Sequence, residues 1–492
     1  MAVRGLFIVG LAGALVAHAA NELQTAAAAN EVAVVYQKLG RYADAAKTFG
    51  EALAIRERLL GADSPEVAVV VNNLAAVRIS QGDYAAAEPL LHRAIEVWDR
   101  IGGPTELEPL ELASALLNLA SLYRAQAKYA DAEPLFRRAL QIRESRGASE
   151  DSEAASVLRN LALVYDGEGK FALAERTARR ALERHQSAAA KNEIETAADL
   201  DAIASVLGSQ GLYSDAETYN RKALGLRQRL FEPTHPSIGE SLNNLATLCR
   251  RQGKLDEAEV LNRKAVAVLG AGLGKQHPKY AVALNNLGLI MHARRKWKES
   301  QAIFEEAIGI WEQALGPNHP ELASGLTNLA GVLKEEHKFS EASRLYERAL
   351  RIDEERLGPA HPKVATDLNN LASLAFAQHK DPDAERLFSM SLAAYEKSGE
   401  GASLDAATTA TNLAEVYRRE HRVKEATPLY GRAIPRLESD WGADNPRLLP
   451  LLQGYREVLR LQEDYAQAEQ IEVQMMRIRV RQALQKASAS RP

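Results

Sequence analysis

Four histidines, His235, His277, His319 and His361, stand 42 residues apart, and a proline follows each. Imidazole serves both as a metal ligand and as a general base, so the row first suggests a metal centre or an acid–base site. Spacing argues against convergence. Equivalent residues of successive helical units are separated by at least one helix-packing distance, about 8–10 Å, too far for four rings to meet at one ion. The proline suits the first turn of a helix, where its missing N–H costs nothing, so these dipeptides read as connectors. Gly270-Ala-Gly-Leu-Gly-Lys275 offers phosphate-cradling chemistry. However, Gln276 follows the lysine where Ser or Thr should hold magnesium, Leu269 replaces the first glycine, and no strand precedes the segment. Cys249 is the sole cysteine, which rules out an internal disulfide and a thiolate metal cluster. It occupies a place where other units carry Tyr123, Tyr165, Met291, Leu333 or Tyr417, and so reads as a small core residue. There is no His-Glu-x-x-His and no Gly-x-Ser-x-Gly. The expectation is no catalytic residue, no cofactor and no metal: the chain is not an enzyme.

What remains is a row of amides. Asn73, Asn118, Asn160, Asn244, Asn286, Asn328, Asn370 and Asn412 recur at one place in the repeat, and the residue before is also asparagine at Asn72, Asn243, Asn285 and Asn369. An amide carries donors and an acceptor, which suits gripping the backbone of an extended peptide whatever its side chains. Equally, each amide can tie neighbouring units together, since buried amides must find partners. Six residues after the anchor stand Arg124, Arg250, His292, Lys334 and Arg418. If both rows face inward, the surface prefers an acidic or carboxylate-bearing peptide, held by charge-assisted hydrogen bonds. If they do not, the basic row is a solvated face.

The elements that position these rows are legible from the repeat. Asparagine anchors, with degenerate copies at Glu31, Ala202 and Gly454, are 42 residues apart throughout, except for 45 between Asn73 and Asn118. A period of this size is the mark of a solenoid. Small residues recur two, fourteen and twenty-one places after the anchor, for example Ala330, Ala342 and Ala349, where paired helices approach closely. In the eighth unit Leu322, Leu326, Leu329 and Leu333 form one helical stripe, and Phe339, Ala342, Tyr346 and Ala349 another. Glycines nine after the anchor, such as Gly40, Gly82, Gly169, Gly211 and Gly253, suit a left-handed helix end. An aromatic two places later, as at Tyr129, should plug the gap between the paired helices.

Composition agrees. Hydrophobic residues make up 46% of the 492, yet aromatics only 6%, which favours close-packed helices over sheets. A net charge of −4 lacks the basic footprint that phosphate neutralisation favours, so no nucleic-acid partner is expected. Arg4, an apolar run from Gly5 to Val16, and Ala17-His-Ala19 have the layout of a cleavable export signal. The run is short for a membrane span, which needs roughly 20 residues; an uncleaved N-terminal anchor is the rival reading. The organisation expected is a signal peptide over 1–19, a solenoid over 20–485 and a disordered tail over 486–492, placing the protein in the periplasm or outside the cell.

The order of small, aromatic and small residues resembles the tetratricopeptide repeat. The 42-residue unit, Asn-Asn-Leu-Ala, and connectors such as Leu315-Gly-Pro-Asn-His-Pro320 and Leu357-Gly-Pro-Ala-His-Pro362 are similar to the kinesin light chain class. The resemblance implies an all-α superhelix of about eleven helical hairpins whose first helices, with their asparagines, line a concave groove for a protein or peptide. It implies a non-enzymatic interaction scaffold. The alternative is an assembly subunit of an envelope or secretion complex that uses the solenoid ends or convex face. Connectors around 188–196 and 399–405 lack His-Pro, and Gly454, Arg456 and Met475 weaken the last unit, as a solvent-facing cap should. Oligomeric state is left open.

Overall fold

The computed structural model describes residues 2–102, 110–145, 152–187, 192–399, 401 and 403–489. It also describes the side chains from residue 18 to residue 484 within those stretches, apart from residues 101 and 102. Among them every regular element is helical, and the α-helices pair in sequence order. The first hairpins are α1 (Ala2–Lys38) with α2 (Tyr42–Leu60), α3 (Pro65–Ser80) with α4 (Tyr84–Gly102), and α5 (Leu110–Ala125) with α6 (Tyr129–Ser145). Then come α7 (Ser152–Gly167) with α8 (Phe171–Ser187), α9 (Glu193–Ser209) with α10 (Tyr213–Leu230), and α11 (Pro236–Arg251) with α12 (Leu255–Leu273). The series continues with α13 (Pro278–Ala293) and α14 (Trp297–Leu315), α15 (Pro320–Glu335) and α16 (Phe339–Leu357), and α17 (Pro362–Ala377) and α18 (Asp381–Lys397). It ends with α19 (Leu404–Arg419) and α20 (Val423–Trp441), then α21 (Leu449–Leu461) and α22 (Tyr465–Ala489). Two compact units result, Met1–Gly325 and Leu326–Pro492, with their boundary inside α15. Residues 1–17 of the expected leader fall in α1 or before it, and their side chains lie outside the described residues, as do residues 490–492 of the expected tail. No helix among the described residues is long and apolar enough to cross a membrane.

The connector histidines show why each hairpin starts where it does. His235, His277, His319 and His361 each accept, at Nδ1, the backbone N–H two residues on, at 3.3, 3.1, 3.0 and 3.1 Å. The ring therefore does the work that Ser or Asp usually does at a helix start, and the proline behind it occupies the first turn. First helices end on a left-handed residue in every hairpin. Five use glycine, and six use Ala127, Arg295, His337, His379, His421 and Glu463, with φ between 54° and 63°. The small positions are needed where expected: a Cβ at Gly288 would sit 2.6 Å from the Phe304 ring, and one at Gly325 2.8 Å from Trp311. One expectation is corrected. Tyr129 does not simply fill its own hairpin, because its ring lies against Gly167 at the end of the next first helix, where a Cβ would come within 2.3 Å.

The first unit also touches itself across a long stretch of sequence. The turn of the first hairpin reaches the start of α13, so that a Cβ on Gly40 would lie 3.0 Å from His277 Nε2 and from Pro278 Cδ. The turn of the second reaches the start of α15, where a Cβ on Gly82 would lie 2.5 Å from Pro320 Cδ. Because His319 Nδ1 is an acceptor, its Nε2 carries the proton and donates to the Ser80 carbonyl at 3.3 Å. Six hairpins thus bring this unit's turns back against its own connectors.

Candidate peptide-binding surface

The amide row forms a chain of contacts between hairpins. In the first unit Asn73 donates to Asn30 at 3.3 Å, Asn118 to Asn72 at 2.9 Å, and Asn286 to Asn243 at 2.9 Å. Asn243 is buried and accepts a second bond from Asn262 at 3.1 Å. In the second unit Asn412 donates to Asn369 at 3.1 Å, and Thr409 adds a bond to the same oxygen at 3.3 Å. In the contacts made by Asn73, Asn118, Asn286 and Asn412 the anchor amide gives its N–H to the residue before the anchor in the preceding hairpin. Asn160 departs from this pattern and donates to the Ser156 carbonyl at 3.0 Å. Asn285 and Asn328 are half-buried and engaged. Asn244, exposed, and Asn370, half-buried, make no side-chain hydrogen bond among the described residues.

The basic row is not uniform. Residues one before and six after the anchor are seven apart and share a helix face. On that face Arg124 and Arg250 are half-buried and have no carboxylate partner among the described residues; Nε of Arg124 is buried and unbonded. Burial pulls both guanidiniums below their usual pKa, which marks the cost of leaving a charge there unmatched. Lys334 in the second unit is half-buried and has no ion-pair partner among the described residues. His292 packs against Trp297 with ring centroids 4.9 Å apart. Arg418 is already taken, held by Glu415 and by Glu457 at 2.9 Å, and Glu415 keeps it above its ordinary range. The fourth hairpin breaks the row with Asp166, which burial pushes up to about 6 while Ser209 donates to it at 2.8 Å.

Other chemistry-bearing groups are accounted for by the fold. Cys249 is fully buried, and burial first pushes its thiol up to about 11. Glu217 and Glu257 lie near enough to share an ion with it, but Lys254, Gln252 and Arg221 hold Glu217, and Arg221 also holds Glu257. Gly270–Lys275 is no loop, since α12 continues to Leu273 and Gly274 caps it at φ +86°. Sequence reasoning missed one cluster. His185 bonds Asp199 through Nδ1, and its Nε2 lies 3.0 Å from both Oγ and the carbonyl oxygen of Ser152. Arg159 binds Asp199 at 2.9 Å. The connectivity is that of a nucleophilic triad, but the ring and carboxylate are 1% and 0% exposed and the ring also faces a backbone carbonyl. The cluster stands beside one of the connectors that lack His-Pro and joins α7, α8 and α9. The fourfold recurrence of His-Pro offered a signal for it only by its failure here.

A family model described as tetratricopeptide repeat matches residues 24–100, 111–187, 195–271, 279–355 and 325–397, most of the chain. The chain belongs to the tetratricopeptide repeat family. Solved structures similar to this tetratricopeptide repeat protein include BtubC (BKLC) from P. vanneervenii, at 22% identity over 45% of this chain and 89% of that one, TM-score 0.39. Another is a Podosopora anserina kinesin light chain with nearly identical TPR-like repeats, at 22% over 42% and 97%, TM-score 0.36. Human IFIT1, a dimer solved with m7Gppp-AAAA, is 18% identical over 91% and 88%, TM-score 0.49. At such identities the likeness bears on the fold alone. A comparison with curated proteins finds no match.

Proposed function

We propose that this tetratricopeptide repeat protein is a non-enzymatic scaffold that holds an extended, acidic protein segment against its first helices. The observation that carries the reading is the pair Arg124 and Arg250, half-buried cations with no carboxylate of the chain beside them. A bound carboxylate offsets the desolvation these groups already bear. In the same unit Asn244 adds an uncommitted amide for a peptide backbone, whereas Asn73, Asn118 and Asn286 serve the scaffold itself. Export to the periplasm or beyond, with the leader removed after Ala19 or kept as an anchor, belongs to the same proposal. It is tested by the mass of the mature N-terminus. Binding is tested by titrating fluorescent glutamate-rich peptides into the protein and into Arg124→Glu/Arg250→Glu. The expected result is at least a ten-fold weaker Kd in the variant, with unchanged circular dichroism and with wild-type binding that weakens in salt. Equal affinity in the two proteins removes the acidic-segment reading.

A further inference from the structure

Among the described residues the stack of hairpins ends on a polar face. Interior second helices bury large apolar residues eighteen and twenty-five places after the anchor, such as Phe304 and Trp311, and Trp311 lies against Gly325 of the next hairpin. In α22 those places carry Glu472, bonded to Arg456, and exposed Arg479. That face offers nothing for a further hairpin to bury. Yet α22 is apolar on a side that interior hairpins keep polar. Nineteen places after the anchor stand Arg137, Arg179, Arg221 and Arg263, and twenty-six places after it Glu57, Asp99, Glu144, Glu354 and Glu438. In α22 these two places are Val473 and Val480, 63% and 54% exposed, and Met476 and Leu484 join them at 60% and 65%.

At roughly 100° per residue the four fall within roughly 80° of the helix circumference. They lie opposite Ile471, Met475 and Ile478, which pack into the core of the second unit. Exposed Glu469 stands in line one turn earlier and bounds the stripe. Cations run along both edges. Arg477 and Arg481 lie on one and share the single carboxylate of Asp444. Arg479 lies on the other without an ion-pair partner among the described residues, and Glu472 beside it is matched by Arg456. From Val473 to Pro492 the sequence adds Lys486 and Arg491 and holds neither aspartate nor glutamate, in a chain whose net charge is −4. Because α22 packs chiefly on α21, the stripe is a crest rather than a groove.

We infer that this crest docks on an anionic lipid surface, with Val473, Met476, Val480 and Leu484 in the acyl boundary and the arginines at the level of the headgroups. Such a surface presents negative charge on both sides of a helix lying in it, which the two cationic edges match. The test uses the full chain with Met476→Cys carrying an environment-sensitive fluorophore, since the native Cys249 is fully buried. Vesicles containing phosphatidylglycerol are expected to shift its emission to the blue, vesicles of phosphatidylcholine alone are not, and high salt should reverse the shift. Arg477→Gln/Arg479→Gln/Arg481→Gln should need about ten-fold more lipid for the same response, with unchanged circular dichroism because all three side chains are exposed. The same label at Val260→Cys, 54% exposed on α12, should stay silent. Because the probe reports on α22 itself, an N-terminal leader that enters the bilayer does not mask the result. A silent label at Met476→Cys overturns the inference, as does an equal response to neutral vesicles. So does a shift that needs no lipid, whether it grows with protein concentration, which would mean that a second copy covers the crest, or follows a glutamate-rich peptide. Glutamate-peptide binding at Arg124 and Arg250 should persist in the triple variant, so this inference and the function proposed above fail separately.

Discussion

At the scale of single residues, the least comfortable groups are buried carboxyls. Asp353 and Asp367 are 3% and 4% exposed, and Thr327 donates to Asp367 at 2.9 Å. Burial, and then the charge of Asp353, pushes Asp367 from 3.8 up to about 8. Its folded pKa thus exceeds its unfolded one, so the stabilisation is fully present below the unfolded value and is lost as pH rises through the folded one. Asp367→Asn removes the titration. The expected outcome is a variant that melts above the wild type at about pH 9, with the gap narrowing by at most about 1.4 kcal/mol per unit as pH falls toward about 5. Thermal melts across that range check it, and a gap that does not depend on pH sinks the assignment. Neither aspartate breaks the sequence pattern, because each sits on a helix like many solvated acids; only packing reveals that both are sealed.

At the scale of elements, each first helix must stop in a left-handed residue, and six hairpins do so without glycine. Ala127 has no polar side chain with which to compensate its φ of 54°. Ala127→Gly is expected to stabilise the protein by about 1 kcal/mol, read as a rise in urea midpoint; a loss would show that another contact sets that turn. Element existence was the most legible layer of the sequence. The 42-residue anchors, the small residues and the His-Pro starts mark the helices because the same packing problem is solved afresh in each hairpin. What each amide does was less legible. Asn243 and Asn244 are adjacent and chemically identical, yet one is buried with two donors upon it and the other faces water. A hundred degrees of helix separates those fates, and a period in sequence carries no sign for which face wins. The basic row failed similarly at Arg418, whose acidic partners come from its own helix and from α21.

At the scale of the whole molecule, the chain consists of two units, each a run of hairpins that mainly touch their neighbours. Such an array has stability that sums over local junctions. The first unit departs from that rule where Gly82 meets Pro320 and His319 meets Ser80. Two glycines with nearly the same backbone separate local from distant effects: Gly82 at φ +66° faces Pro320, whereas Gly253 at φ +77° faces open space. Gly253→Ala should cost about 1–2 kcal/mol of backbone strain, and Gly82→Ala about 1–3 kcal/mol more, because the distant contact must yield as well. Equal losses in chemical denaturation would mean that the contact contributes nothing. Nothing in the 42-residue period foretold it, since the period describes neighbours and this contact joins residues 239 apart.

That long-range contact changes how the first unit answers to force. An open spring lengthens from the first pull, spreading a small rotation over every joint. A spring whose coils are clasped resists until the clasp gives, and only then extends. Pulled from its ends, this unit is expected to behave as the second kind, rigid under weak tension and compliant above a threshold set by two histidine-proline corners and the glycines they rest upon.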